Sequence, residues 1–191
     1  MTSRASSLPV RRWTVEEFDR IAEALPAGET ERLELLDGVI YEMTPINPPH
    51  AGAVRALNRL FSVLAGQAIV DVQNPLVLGP MSKPQPDLML LRPRPDDYRS
   101  AHPSAEDVLL VVEIADSSAE IDRRLKLPLY ATAGVAEVWL TELQREIVTR
   151  YRDPVNGKYT NFRVFRRGQQ ISPAAFPDLI LQLDDILGPT R

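Results

Sequence analysis

Residues 109–118 read LLVVEIADSS, and the carboxylate in their middle decides how the rest of the chain is read. Leu109–Val112 and Ile114 are apolar and β-branched enough for a buried strand, yet Glu113 lies inside the run. An ionised carboxylate removed from water costs several kcal/mol unless something compensates it. The compensator is a structural partner, a raised pKa or a metal ion.

Downstream of this strand, Ser117 or Ser118 can cap a helix on which Asp122 and Lys126, four apart, share a face. Pro128 should end or kink that helix, or open a second short one, and Gly134 should stop it before a strand in AEVWLTE. Upstream, the proline-rich loop GPMSKPQP leads into Asp87–Leu91, which reads as a strand whose entry Pro86 fixes. A second proline-rich loop at 92–103 separates it from the strand at 108–114.

Nearer the N-terminus, Thr14–Glu17 is a capping box, and Val15, Phe18, Ile21, Ala22 and Leu25 keep helical spacing until Pro26 and Gly28. Asp37-Gly38 between two apolar runs is a two-residue hairpin turn, which sets Glu34 opposite Tyr41. The loop TPINPP delivers His50 to a helix near 50–66 with Ala53, Val54, Leu57, Leu60, Phe61 and Leu64 as its buried stripe. Short strands are expected at 69–72 and 76–78, a hairpin around Asp153–Gly157, and a closing apolar segment, FPDLILQL. Trp13 and Trp139 are assigned to the core. Interleaved strands and helices give an α/β class, with a mixed sheet flanked by helices.

The chain has 191 residues, one domain's worth, with residues 1–11 expected to be flexible. There are no cysteines and two histidines, His50 and His102, which excludes thiolate chemistry and His-rich metal sites. A metal held here would be bound by oxygen: magnesium, manganese or calcium. No signal peptide or membrane-length apolar run is seen, so a cytoplasmic protein is expected, with no membrane partner. Net charge is −4, but residues 142–168 hold seven Lys/Arg against three acids. That stretch suits a phosphate backbone or a solvated hairpin face.

If the strands bearing Asp87 and Glu113 are neighbours, both carboxylates can point at one spot with Lys126 over it. A divalent cation turns their repulsion into attraction, and it can polarise a phosphoryl oxygen and acidify bound water. A lysine beside it can hold that water or stabilise a phosphodiester transition state. The same residues also read as a buried ion pair between Glu113 and Lys126, with Asp87 bonding nearby amides. Spacing alone leaves both readings open.

The blocks LELLDGVIYEM, His50, PQPDLMLL, LLVVEIADSS and DRRLKLPLYATAGVAEVWL resemble, in that order, the Uma-type family of restriction-endonuclease-like proteins in the PD-(D/E)xK nuclease superfamily. The likeness runs from about Arg32 to Thr141 and continues weakly to Leu187. It implies a restriction-endonuclease-like core, with the N-terminal helix and hairpin and the C-terminal hairpin added to it. It also implies a Mg²⁺-dependent site, Mn²⁺ substituting, that hydrolyses phosphodiester bonds of nucleic acid, DNA before RNA. Asp87 matches the motif aspartate and Glu113 the motif acid. Both would bind the metal, with the Ile114 carbonyl.

The superfamily lysine would stand at Ala115, and Lys126 on the following helix matches its relocated form. Glu34 matches a third acid, and Asp122 would orient Lys126. Where the family commonly reads Leu-Ser-Pro-Ser after the strand acid, this chain reads Ile114-Ala115-Asp116-Ser117, so Asp116 adds negative charge. A nuclease that cuts both strands is expected to be a homodimer. Two other readings stay open. One is a catalytically silent nucleic-acid-binding or regulatory module dependent on Arg150, Arg152, Arg163 and Arg166. The other is a structural domain whose acids form a satisfied core network.

Overall fold

A computed structural model of the chain describes residues 10–26, 33–43, 45–116 and 119–189. Helix α1 (Val15–Ala24) starts at the Thr14 capping box, with both reciprocal bonds present, and Leu25 leaves it in extended conformation before Pro26. Strands β1 (Leu33–Leu36) and β2 (Val39–Glu42) form the hairpin turned at Asp37-Gly38, and Glu34 faces Tyr41. The turn is tight against the segment preceding α1: a Cβ on Gly38 (φ +76°) would lie 2.5 Å from that of Arg12. Helix α2 (Pro48–Phe61) begins two residues before His50, its Asn47 cap accepting the His50 N–H at 3.0 Å.

Strands β3 (Ile69–Val72), β4 (Leu88–Leu91) and β5 (Val108–Ala115) come next. They are followed by α3 (Ala119–Ile121), a π-helical turn at Asp122–Lys126 and α4 (Leu127–Ala133). Strands β6 (Glu137–Glu142), β7 (Ile147–Val155) and β8 (Lys158–Arg166) complete a six-stranded sheet in the order β3-β4-β5-β6-β7-β8. Only β5 and β6 are parallel, because only they are joined by a helical crossover. A small ladder, β9 (Gln170–Ile171) with β10 (Leu181–Gln182), and α5 (Leu183–Leu187) close the chain.

Helices cover both faces. Leu88, Leu90, Leu110, Val112, Ile114 and Trp139 point to one side, onto α2 and α5. Met89, Leu91, Val111 and Val138 point to the other, onto Leu127 and Tyr130 of α4. Each such buried side chain contributes about 1.5–3 kcal/mol. Two residues before Met89 and two after Val111, the period of two aims Asp87 and Glu113 toward the α4 side.

Three sequence expectations change. Residues 76–78 make no strand, because Pro75, Gly79 and Pro80 hem them in, and only an isolated bridge from Val77 to Ser104 forms. Trp13 is half-buried under the Arg11 guanidinium, 4.5 Å from its ring, while Trp139 is the fully buried tryptophan. The 50–66 helix is α2 followed by a tight 3₁₀ turn at Ser62–Leu64. The expected caps Ser117 and Ser118, Gly28 and residues 1–9 of the flexible arm lie outside the described residues.

Candidate active site

The antiparallel register pairs Leu88 with Val112, and continued by one residue it sets Asp87 beside Glu113. Asp87 is held at both oxygens. Its Oδ2 accepts the Ile114 N–H at 2.8 Å, and its Oδ1 lies 2.8 Å from Nε2 of His50 on the first turn of α2. The carboxylate is therefore oriented before anything binds it.

Glu113 is 3% exposed. Its Oε1 accepts the Tyr130 hydroxyl at 2.5 Å and lies 3.4 Å from Nζ of Lys126. The same ammonium is 3.0 Å from Oε2 of Glu34 and 4.0 Å from Oδ1 of Asp122. Glu34 reaches this point because its hairpin is stitched to the loop before β4. Leu35 and Lys83 exchange backbone bonds of 2.7 and 3.3 Å, and Gly38 donates to the Met81 carbonyl. The Gln85 N–H adds a bond to Glu34 at 3.3 Å.

Lys126 owes its position to the π-helical turn. Pro128 has no N–H to donate and its ring clashes with the carbonyl four residues back, so the helix widens just before it.

One imbalance governs the electrostatics: acids outnumber cations. Burial pushes the Glu113 carboxyl up to about 8, and the charges of Asp122 and Asp87 add to the rise, against the pull of Lys126 and the Tyr130 bond. Burial opposes the charge on Lys126, but Glu113, Glu34, Asp122 and Asp87 outweigh it and hold the ammonium protonated far above neutrality. Burial likewise works against the His50 cation, and the Asp87 bond and charge prevail and raise its pKa. The Tyr130 hydroxyl is pushed well up, by burial first and then by Glu113.

Glu34, His50, Asp87, Glu113, Asp122 and Lys126 line one cleft of about 180 Å³, open to solvent and shared with Ile114, Asp116, Gln85 and Asn47, while Tyr130 is fully buried. Asp87, Glu113, Glu34 and the Asp122–Lys126 turn are thus brought together from four separate stretches. Asp116, at the rim, accepts the Asn47 and Gln144 amides at 2.7 and 2.6 Å. Among the described residues no three His, Asp or Glu side chains form a ready-made metal cage.

The sequence assigned no role to Tyr130, although it follows Lys126 by four and a helical face would have aligned the two. Nor did it pair His50 with Asp87, a contact made across 37 residues.

The basic stretch 142–168 is largely consumed by structure. Arg145 pairs with Glu142, Arg152 with buried Glu137, and Arg167 with Glu146 and Asp184. Arg150 and Arg163 stand opposite each other, both guanidiniums about 5 Å from the Phe165 ring centre.

Over residues 15–184 the chain matches the family described as "Uma2: Putative restriction endonuclease". Its fold is similar to that of a crystal structure described as "a putative nuclease belonging to DUF820 from Anabaena variabilis ATCC 29413". The TM-score is 0.69 at 19% identity, covering 94% of this chain and 98% of that one. No curated protein matches. No described helix is long and apolar enough to cross a membrane.

Proposed function

We propose that this chain, which belongs to the Uma2 family, is a Mg²⁺-dependent endonuclease that hydrolyses phosphodiester bonds of nucleic acid, DNA before RNA. One observation carries the reading: Asp87 and Glu113 stand on adjacent strands, facing the same side, with a buried lysine among the acids. The donor set suits a hard divalent cation, since every candidate ligand is an oxygen and negative charge is in excess. Magnesium takes one or two carboxylates and leaves its remaining positions to water and substrate phosphate, so no three-residue cage is needed. Asp87, Glu113 and the Ile114 carbonyl would hold the ion. Bound there, it would supply Lewis acidity and a more acidic water.

The chain's own residues do the rest. His50 and the Ile114 N–H fix the plane of the Asp87 carboxylate, and Tyr130 fixes that of Glu113. Lys126, kept charged by the surrounding acids, orients the attacking water or offsets charge developing on the phosphate. Glu34 anchors Lys126 and can accept a proton from water at the cleft.

The 3.0 and 3.4 Å contacts of Lys126 also suit a purely structural ion-pair network. Calorimetric titration of Mn²⁺ separates the two readings, run on wild type and Glu113→Ala, with and without an oligonucleotide. Binding that the mutant loses, together with Mg²⁺-dependent cleavage abolished in Asp87→Ala and Glu113→Ala at unchanged or raised melting temperature, supports the nuclease. No heat under any condition, or loss of fold in the variants, supports the network.

A further inference from the structure

We infer that Gln73 reads one base of the bound strand beside the scissile phosphodiester; the inference rests on the nucleic-acid reading of the site. A second groove, of about 620 Å³, adjoins the catalytic cleft, and Met43, Ile46, Gln73 and Gln85 line both. Gln73 sits in the shared wall, at the end of β3. Its φ is +53°, the left-handed region that a glutamine rarely occupies. Two bonds impose that conformation. The Gln73 N–H donates to the Asp87 carbonyl at 3.3 Å, and its own carbonyl accepts the Gln85 side-chain amide at 2.5 Å. The residue is thereby fixed to the backbone of Asp87, with its side chain half-buried on the wall common to both spaces.

The Gln73 side-chain amide makes no hydrogen bond to protein among the described residues. Two donors and an acceptor on a rigid mount, next to a site for a phosphodiester, match the edge of a base, and adenine is the partner an amide reads bidentately. Ile46, 50% exposed, and Pro75 offer apolar surface to a flat ring. The groove's charges do not call for a second phosphate, because Lys83 is closed onto Asp19 at 2.7 Å. An uncharged, planar, hydrogen-bonding group is what this wall accommodates.

The test uses Gln73→Gly, because glycine accepts the positive φ and only the amide is lost. Wild type and variant are each used to select from a randomised oligonucleotide pool in Ca²⁺, and wild-type cleavage of the same pool is followed in Mn²⁺. Wild type should enrich adenine at one position by about tenfold, and Gln73→Gly should enrich no base there by more than about twofold. Gln73→Asn, which also tolerates this backbone, should weaken the preference at unchanged melting temperature. An equal preference in Gln73→Gly, or none in wild type, overturns the inference whether or not cleavage occurs. A preference lost in the variant, in a wild type that never cleaves, upholds it while the nuclease reading falls.

Discussion

Among the described residues Lys126 is the ammonium shared by Glu34, Glu113 and Asp122, and its removal takes that counter-charge from buried acids. Lys126→Ala should therefore cost about 3–5 kcal/mol in denaturant unfolding at pH 8, and less at pH 5, where Glu113 holds its proton. Glu113 sets a second pH dependence. Its carboxyl is raised in the folded chain to about 8 from an ordinary 4.5, so the native state binds the proton more tightly than the unfolded state does. Its share of stability is complete below about 4.5 and is lost as pH rises through about 8. In EDTA, wild type should lose more melting temperature between pH 5.5 and 8.5 than Glu113→Gln, which carries no such proton. Parallel curves would disprove the assignment. Asp87 and Glu113 were legible in the sequence because each breaks a local rule: one follows a proline at a strand entrance, the other interrupts an apolar run. The bonds made by His50 and Tyr130 were not, because each contact depends on how a helix is rotated over the sheet.

Among the elements, the π-helical turn at Asp122–Lys126 most directly joins backbone to chemistry. Pro128→Ala restores a donor to the helix and removes the clash that widens it. The turn should then relax toward α geometry and rotate Lys126 away from Glu34 and Glu113. Stability should stay within about 1 kcal/mol or rise, while any Lys126-dependent cleavage falls tenfold or more. A variant equally stable and equally active would show that the turn places nothing. Sequence reasoning placed Asp122 and Lys126 on one face and saw that Pro128 would interrupt the helix. It did not specify a wide turn, since kink, break and restart satisfy a proline equally well. The hairpin was fully legible, down to Glu34 opposite Tyr41, because Asp-Gly dictates a two-residue loop and hence the register. Residues 76–78 failed for the opposite reason: their apolar side chains suit a strand, but the flanking prolines and glycine limit their pairing to isolated backbone bonds with Pro103, Ser82 and Pro84.

At the scale of the molecule, the mixed sheet follows from where the helices lie along the chain. One helical crossover makes one parallel pair, and the other neighbours are antiparallel. The sequence shows this alternation, but it cannot show that β3 rather than β8 lies beyond β4. Strand β8 ends the sheet with Lys158, Arg163 and Arg166 and no acid. Two β8 strands laid antiparallel about Phe162 would bring Lys158 opposite Arg166 at both ends, and like charges facing across a ladder repel. Replacing Lys158, Arg163 and Arg166 by threonine should raise self-association in sedimentation velocity at low salt. No change would mean that charge does not guard this edge.

The stitching of Glu34, Asp87, Glu113 and Lys126 from distant stretches also fixes an order in time. During synthesis the three acids leave the ribosome before their cation, because Lys126 follows them all along the chain. Until it emerges, the acids repel one another and the cleft has no stable closed form. Closure must then wait for α3, the turn and α4 to dock on β5. No nascent fragment that ends before Lys126 therefore contains a charge-balanced pocket, although β6, β7, β8 and α5 are still to be made when Lys126 emerges.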